Sequence, residues 1–150
     1  MKKPFSIFAI VALAVMTLSS CSKKDKDDPA PKAGRTLKVT FSGSGVSTAD
    51  HDLVLLQVGG SDYKQTKTLL KLNGVPQTNE PIVKIDEKQL IAGGTYTIES
   101  LVPLDVCYVS LTALNLETAF NVKLKIEVDG KTIIDLNQTV ANSFDKTYDL

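Results

Sequence analysis

Alternation between apolar and polar residues is the property that most constrains the fold of this chain, and it is clearest near the C terminus. Within residues 120–128, apolar positions alternate with polar or charged ones. The apolar positions are Phe120, Val122, Leu124, Ile126 and Val128. A period of two residues is that of a half-buried β-strand. Asp129-Gly130 then favours a tight two-residue turn, and residues 131–136 would form the returning strand of a hairpin.

The same period recurs along most of the chain after residue 35. Further strands are predicted at 36–41, 53–58, 68–72, 82–85, 95–100 and 107–113, and a terminal strand would contain Phe144 and Tyr148. Helical periodicity is not maintained over three turns anywhere, although residues 86–92 would hold a single turn. Short strands bounded by turn residues predict an all-β, antiparallel β-sandwich of about seven to nine strands.

Glycine and asparagine residues indicate where several of these strands end. The continuous apolar run 53–58 suits a central strand, which Gly59-Gly60 would stop. Asn73-Gly74 predicts a tight turn after residues 68–72. Residues 42–45, which alternate serine and glycine, predict a break or the end of the first strand.

The N-terminal segment has the organisation of a secretory signal peptide. Lys2 and Lys3 form a basic start, and residues 5–18 are apolar and almost free of charge. A transmembrane anchor is the alternative, but a bilayer-spanning helix needs about 20 apolar residues. This stretch ends sooner, at Ser19-Ser20.

The run Leu18-Ser19-Ser20-Cys21 resembles the lipobox of bacterial lipoproteins. The resemblance implies that signal peptidase recognises Leu18, Ser19 and Ser20, and that Cys21 receives a diacylglycerol and further acylation such as palmitate. Several acyl chains anchor a protein stably, because each buried methylene contributes about 0.8 kcal/mol. We therefore predict a signal peptide at 1–20, a lipidated cysteine and tether at 21–34, and a β-sandwich at 35–150.

The predicted tether has many charges, two prolines and no large apolar residue, so it is expected to be disordered. A coil of this length reaches roughly 20 Å. Two interpretations stay open for Asp25, Asp27 and Asp28. They form a solvated linker, or they belong to a segment that is similar to the surface-export signal of Bacteroidetes-type lipoproteins.

A second resemblance concerns the domain itself. Residues 106–115, followed by 120–131 with its Val-Asp-Gly turn, are similar to the C-terminal half of small envelope lipoproteins. Those proteins have an immunoglobulin- or transthyretin-like sandwich and are sometimes grouped with MmpS-like membrane-associated proteins. The opening strand 36–41 fits the same pattern, whereas residues 60–94 form a longer segment of unassigned role. The resemblance implies an accessory or binding role at the envelope.

Charge and cysteine content exclude several classes of function. The chain has 17 basic and 17 acidic residues, and loss of the signal peptide removes Lys2 and Lys3. The slightly acidic remainder has no basic field for nucleic acid. If Cys21 is lipidated, Cys107 has no intramolecular disulfide partner, and the domain must be stable through packing alone.

Residues with catalytic or metal-binding chemistry are few. His51 is the single histidine, which excludes a histidine-pair metal motif, and the cluster Asp50-His51-Asp52 is interpreted as a solvated loop. A Cys107–His51 pair would meet only in space, and the alternation around Cys107 favours a buried, inert thiol. Neither a G-x-S-x-G elbow nor a phosphate-binding loop is present. We expect neither metal nor cofactor.

Carbohydrate is a further class of possible partner. The absence of tryptophan argues against it, because sugar-binding modules commonly stack aromatic side chains on sugar rings. Tyr63, in a polar stretch, is the best candidate for an exposed aromatic residue, and Tyr96, Tyr108 and Tyr148 would lie at core edges. Paired carboxylates such as Asp86-Glu87 would be needed for glycoside hydrolysis, and none has supporting context.

The sequence thus predicts a non-catalytic protein anchored by lipid at the outer membrane, on its periplasmic face or at the cell surface. It would bind a protein partner through loops or a sheet edge. The alternative is an accessory subunit of an envelope transport or uptake complex, and a small hydrolase is the third hypothesis.

Overall fold

The structure is a computed structural model that describes residues 34–150. Nearly all of its regular elements are strands, and α1 at Glu87–Ile91 is its one α-helix within this range. The strands are β1 Leu37–Ser44, β2 Leu53–Ser61, β3 Leu70–Leu72, β4 Val75–Pro76, β5 Ile82–Asp86, β6 Thr95–Ser100, β7 Val106–Leu114, β8 Phe120–Val128, β9 Lys131–Val140 and β10 Ser143–Asp149. The part of the chain described contains no helix long and apolar enough to cross a membrane.

Two antiparallel sheets form a sandwich, as the sequence predicts. The six-stranded sheet has the order β4-β3-β6-β1-β8-β9, and the four-stranded sheet has the order β10-β7-β2-β5. Residues 34–150 contain ten strands, one more than the upper end of the expected range, and the additional strand is the two-residue β4, which pairs with β3. Asn73 and Asp129 have positive φ angles at the two predicted tight turns.

The core lies between the inner faces of the sheets and follows the predicted alternation. On β8, Phe120, Val122, Leu124 and Ile126 are all buried, and on β7 the buried series begins at Cys107. Phe41 is fully buried near the middle of the core. Because apolar burial contributes about 25 cal/mol per Å², this alternation supplies the main stabilisation of a domain that has no disulfide within residues 34–150.

Two predicted strand ends differ in the structure. β1 continues to Ser44, so the serine and glycine residues after Phe41 extend the strand. β2 also continues, through Gly59 and Gly60, to Ser61. The ring of Tyr108 on the neighbouring strand covers Gly59, where an added Cβ would lie 2.5 Å from the ring. The aromatic ring therefore takes the space that a side chain would occupy, and the ladder persists.

The described part of the chain enters the sandwich at one end, and the β1–β2 and β7–β8 loops lie at the other. Arg35 pairs with Leu104, just before β7 begins, and the backbone N–H of Asp105 donates to the carbonyl oxygen of Ser61. At the opposite end, Gly45 lies against Phe120, where β1 ends and β8 begins. β2 has nine residues and spans roughly 30 Å between these ends. We call them the anchor end and the loop end.

Candidate functional site

The outer face of the six-stranded sheet is charged and internally paired. One row across β3, β6, β1 and β8 consists of Lys71, Glu99, Lys38 and Glu127, in alternating charge. Lys71 Nζ lies 3.0 Å from Glu99 Oε2. Each exposed ion pair of this kind contributes at most about 1 kcal/mol to stability, but the lysines and glutamates neutralise one another's charge. This face therefore has the character of a solvated surface.

The outer face of the four-stranded sheet is different, because apolar residues are exposed on it. Leu53 and Leu55 on β2 are 55% and 36% exposed. Leu53 pairs with Leu114 on β7, and Leu55 pairs with Thr112. These side chains form the floor of a groove of about 450 Å³ near the loop end. We call it the apolar groove.

Carboxylates lie on both sides of the apolar groove. In the row that contains Leu55 and Thr112, Asp86 occupies the β5 position and Asp145 the β10 position. Glu87, the first residue of α1, also lines the groove. No salt bridge within residues 34–150 involves any of these three carboxylates. The groove thus combines an apolar floor with carboxylates that form no ion pair within the described domain.

Hydrogen bonds hold two of these carboxylates in place. Asp86 caps α1, since its Oδ1 accepts a hydrogen bond from the Gln89 backbone N–H at 3.1 Å. Across the groove, Thr112 Oγ1 donates to Asp145 Oδ2 at 2.9 Å. The second oxygen of each carboxylate is left for a ligand. Because these hydrogen bonds lie within the domain, they hold the two carboxylates in position without a ligand.

The loop that precedes β2 and leads into the groove contains a buried carboxylate, although the sequence pattern predicts a solvated one. Asp52 is only 2% exposed, and the interpretation of Asp50-His51-Asp52 as a solvated loop is wrong at this residue. Its Oδ2 accepts a hydrogen bond from the Ser47 N–H at 2.9 Å, and its own N–H donates to the Ser47 carbonyl oxygen. Asp52 Oδ1 is buried and has no partner within the described residues. The turn, with His51 at a φ of 58°, folds back onto this carboxylate.

Asp62 provides a comparison, because it is also nearly buried, at 8% exposure. Both of its oxygens accept hydrogen bonds from Thr66, one from the backbone N–H at 2.8 Å and one from the hydroxyl at 2.6 Å. These bonds, the hydroxyl bond first, lower the pKa of the Asp62 carboxyl below its ordinary value. Both carboxylate oxygens of Asp62 therefore have hydrogen-bond donors within its own turn, whereas one oxygen of Asp52 has none.

Tyr63 lies far from the groove. It is 75% exposed, as predicted, and its backbone N–H donates to Asp105 Oδ2 at 2.6 Å, which places it at the anchor end. Tyr108, expected at a core edge, instead packs over Gly59 on the outer face of the four-stranded sheet. The groove itself has no aromatic lining residue.

His51 and Cys107 do not meet. Cys107 pairs with Gly60 at the anchor end of β2, whereas His51 precedes the loop end of the same strand, roughly 20 Å away. Cys107 is 1% exposed, and burial raises the pKa of its thiol. The predicted buried thiol is confirmed. In the part of the chain described, no three His, Cys, Asp or Glu side chains gather as a metal-binding group.

The predicted lipidation site, Cys21, and the peptidase-recognition residues Leu18, Ser19 and Ser20 lie outside the described residues. They stay predictions.

Three solved structures have a fold similar to that of this chain. The domain of unknown function DUF4425 from Bacteroides vulgatus has a TM-score of 0.55 and 15% identity, over 79% of this chain and 94% of that one. A DUF4425 family protein from Bacteroides ovatus has a TM-score of 0.54 and 10% identity, over 79% and 94%. The calcium-bound form of a protein from Parabacteroides distasonis has a TM-score of 0.55 and 15% identity, over 77% and 92%.

No protein-family model matches the chain, and neither does any curated protein. The likeness to the three structures shows a shared fold. The all-β fold is thus shared with these proteins, whereas the resemblances to Bacteroidetes-type lipoproteins and to the MmpS-like group stay predictions.

Proposed function

We propose that this protein is a non-catalytic, lipid-anchored envelope module that presents the apolar groove to a protein partner. The groove carries the proposal, because it combines exposed leucines and unpaired carboxylates at the end of the sandwich remote from Arg35, where the chain enters. A lipid at Cys21 and the following tether would leave that end facing away from the bilayer.

Several observations support binding over catalysis. His51 is exposed on a turn, Cys107 is buried, and the two lie at opposite ends of β2. The carboxylates beside the groove stand over leucines and Thr112, and neither histidine nor cysteine is among the lining residues. A surface of this kind provides apolar contact area and charge complementarity, which are the components of protein recognition.

Two measurements test the proposal in cells. Cys21→Ser should abolish palmitate incorporation and membrane association, because acylation requires the thiol. A photoreactive amino acid at position 53 should give a discrete adduct with another protein, whereas the same residue at position 75 should not. Val75 is 62% exposed, comparable to Leu53 at 55%, but it lies in the other sheet.

The adduct also separates the two binding hypotheses. A transport or uptake component as the adduct at position 53 would identify the protein as an accessory subunit of that complex. Undiminished palmitate labelling of Cys21→Ser would overturn the anchor, and identical adduct patterns at positions 53 and 75 would overturn the groove as the presenting surface.

Calcium-dependent binding is a second candidate, which Asp52 favours. The fold neighbour from Parabacteroides distasonis is a calcium-bound form, and a buried, unpartnered carboxylate oxygen is an atom that a hard cation would take. Because residues 34–150 hold no group of three acidic, histidine or cysteine ligands, carbonyl oxygens and water would supply the remaining ligands. Low ligand charge favours an affinity of about 10⁻⁴–10⁻³ M, as in extracellular modules.

A further inference from the structure

We infer that the apolar groove binds a cationic, leucine-rich peptide segment of a partner protein. The inference rests on the proposed function and specifies the chemistry of the partner. It follows from the order of residues across the four strands, which places an acidic residue on each side of an apolar floor.

The floor requires an apolar ligand group. Leu53 and Leu55 expose much of their side chains, and Leu114 lies beside Leu53 on the neighbouring strand. Burial of apolar surface is the main favourable contribution to association. A volume of about 450 Å³ falls in the range of ligand pockets and accommodates one or two aliphatic side chains.

The carboxylates on both sides of the apolar groove require a ligand with positive charge. Asp86 and Glu87 stand on one side and Asp145 on the other, and none has an ion pair within the described domain. Lysine or arginine residues that flank an apolar side chain would contact both sides at once. Anionic lipid head groups would be repelled by the same carboxylates, so a membrane surface does not fit.

Other ligands fit less well for stated reasons. Sugar rings bind by stacking on aromatic side chains, and the groove has none, because Tyr63 lies at the anchor end and Tyr108 covers Gly59. The predicted tether of this chain carries lysines at positions 23, 24, 26 and 32 but no large apolar residue. A second copy would therefore not fill the groove through its tether.

The test uses purified full-length chain and a fluorescein-labelled peptide with two leucines between lysines. Fluorescence polarisation should show saturable binding to the wild type that weakens as salt rises. Leu53→Ser should bind roughly tenfold more weakly, since it removes the most exposed part of the floor. The double variant Glu87→Gln/Asp145→Asn should lose most of the salt dependence, and the amide introduced at position 145 keeps an oxygen that accepts from Thr112.

Val75→Ser is the matched control, because it removes an equally exposed apolar side chain from the other sheet. It should bind like the wild type. All proteins share one detergent, so peptide partitioning into micelles cancels between variants. Two further peptides carry glutamate for lysine or serine for leucine, and neither should bind.

Equal affinity of Leu53→Ser and Val75→Ser would overturn the inference, as would equal binding of the acidic peptide. A dimer in sedimentation that Leu53→Ser dissociates would assign the groove to a second copy instead. A position-53 adduct in cells without preference for the lysine peptide would leave the proposed function standing and reject this partner chemistry. Absence of that adduct would count against the proposed function itself.

Discussion

Asp52 and Asp62 are both almost fully buried, yet their carboxylates meet different surroundings. Thr66 donates hydrogen bonds to both oxygens of Asp62, whereas Ser47 reaches one oxygen of Asp52. A buried polar atom without a partner loses its hydration with no compensating bond, which costs about 1–3 kcal/mol. Asp52 is thus the carboxylate with an oxygen that a ligand would stabilise.

This difference predicts how the two residues respond to calcium. Millimolar calcium should raise the melting temperature of the wild type and of Asp62→Asn, but not that of Asp52→Asn. At ten times the dissociation constant, binding to the folded state stabilises by about 1.4 kcal/mol. For a domain of this size that corresponds to a shift of about 5 °C, measurable by differential scanning calorimetry.

Asp62→Asn serves as the control because it also replaces a nearly buried carboxylate in a turn. A chelator should reverse the shift, and magnesium at the same concentration should give a smaller one, because it demands stricter octahedral geometry. An equal calcium shift in Asp52→Asn and the wild type would remove Asp52 as a ligand. No shift in the wild type would remove the calcium hypothesis.

Among the elements, those with local sequence signals were predictable. The β8–β9 hairpin depends on alternation and on Asp129-Gly130, which are adjacent in sequence, and both predictions are confirmed. The single turn predicted at residues 86–92 is α1. β2 is a central strand of its sheet, as its apolar run predicts.

The candidate site was not predictable, because it depends on pairings that are distant in sequence. Leu53 and Leu55 belong to a run whose pattern predicts burial on both faces, but no element within residues 34–150 covers the outer face of their strand near the loop end. Asp145 joins the groove only through the register of β10 on β7. Burial of Asp52 likewise depends on a turn that folds back on Ser47.

The two tight turns should differ in how strongly they affect global stability. Gly130 joins β8 to β9, and Gly74 joins β3 to β4, with φ angles of 74° and 84°. An added Cβ would meet nothing within 4 Å at either position, so alanine introduces only backbone strain of about 1–2 kcal/mol. Gly130→Ala should lose that full amount in urea denaturation.

Gly74→Ala should lose distinctly less. β4 has two residues and lies at the edge of its sheet, so local opening of the β3–β4 hairpin relieves the strain without unfolding the core. β9 has ten residues, which pair along the whole of β8, so the β8–β9 hairpin cannot open locally in the same way. Equal losses in the two variants would show that the β3–β4 hairpin opens only with the whole domain.

For the whole molecule, the two ends of the sandwich acquire different roles once a lipid is attached. The chain enters beside Leu104, and the apolar groove lies near the other end of strands roughly 30 Å long. A tether with the predicted reach of roughly 20 Å would be shorter than this span. The anchor end should therefore remain closer to the bilayer than the groove does.

Thiol accessibility tests this orientation directly, because a lipidated wild type would offer no reactive background. Cys107 is 1% exposed, burial raises the pKa of its thiol, and Cys21 would be blocked by lipid. A single new cysteine is introduced by Leu116→Cys at the loop end or by Tyr63→Cys at the anchor end, where the native side chains are 59% and 75% exposed.

In lipid vesicles, a bulky polyethylene-glycol maleimide should label Leu116→Cys several-fold faster than Tyr63→Cys, because the bilayer obstructs approach to the anchor end. Adding Cys21→Ser should equalise the two rates, since the domain is then released from the lipid. Equal labelling rates in vesicles would mean that the tether does not orient the domain. The partner would then bind those molecules whose groove happens to face away from the bilayer. Faster labelling at position 63 would instead place the groove towards the membrane.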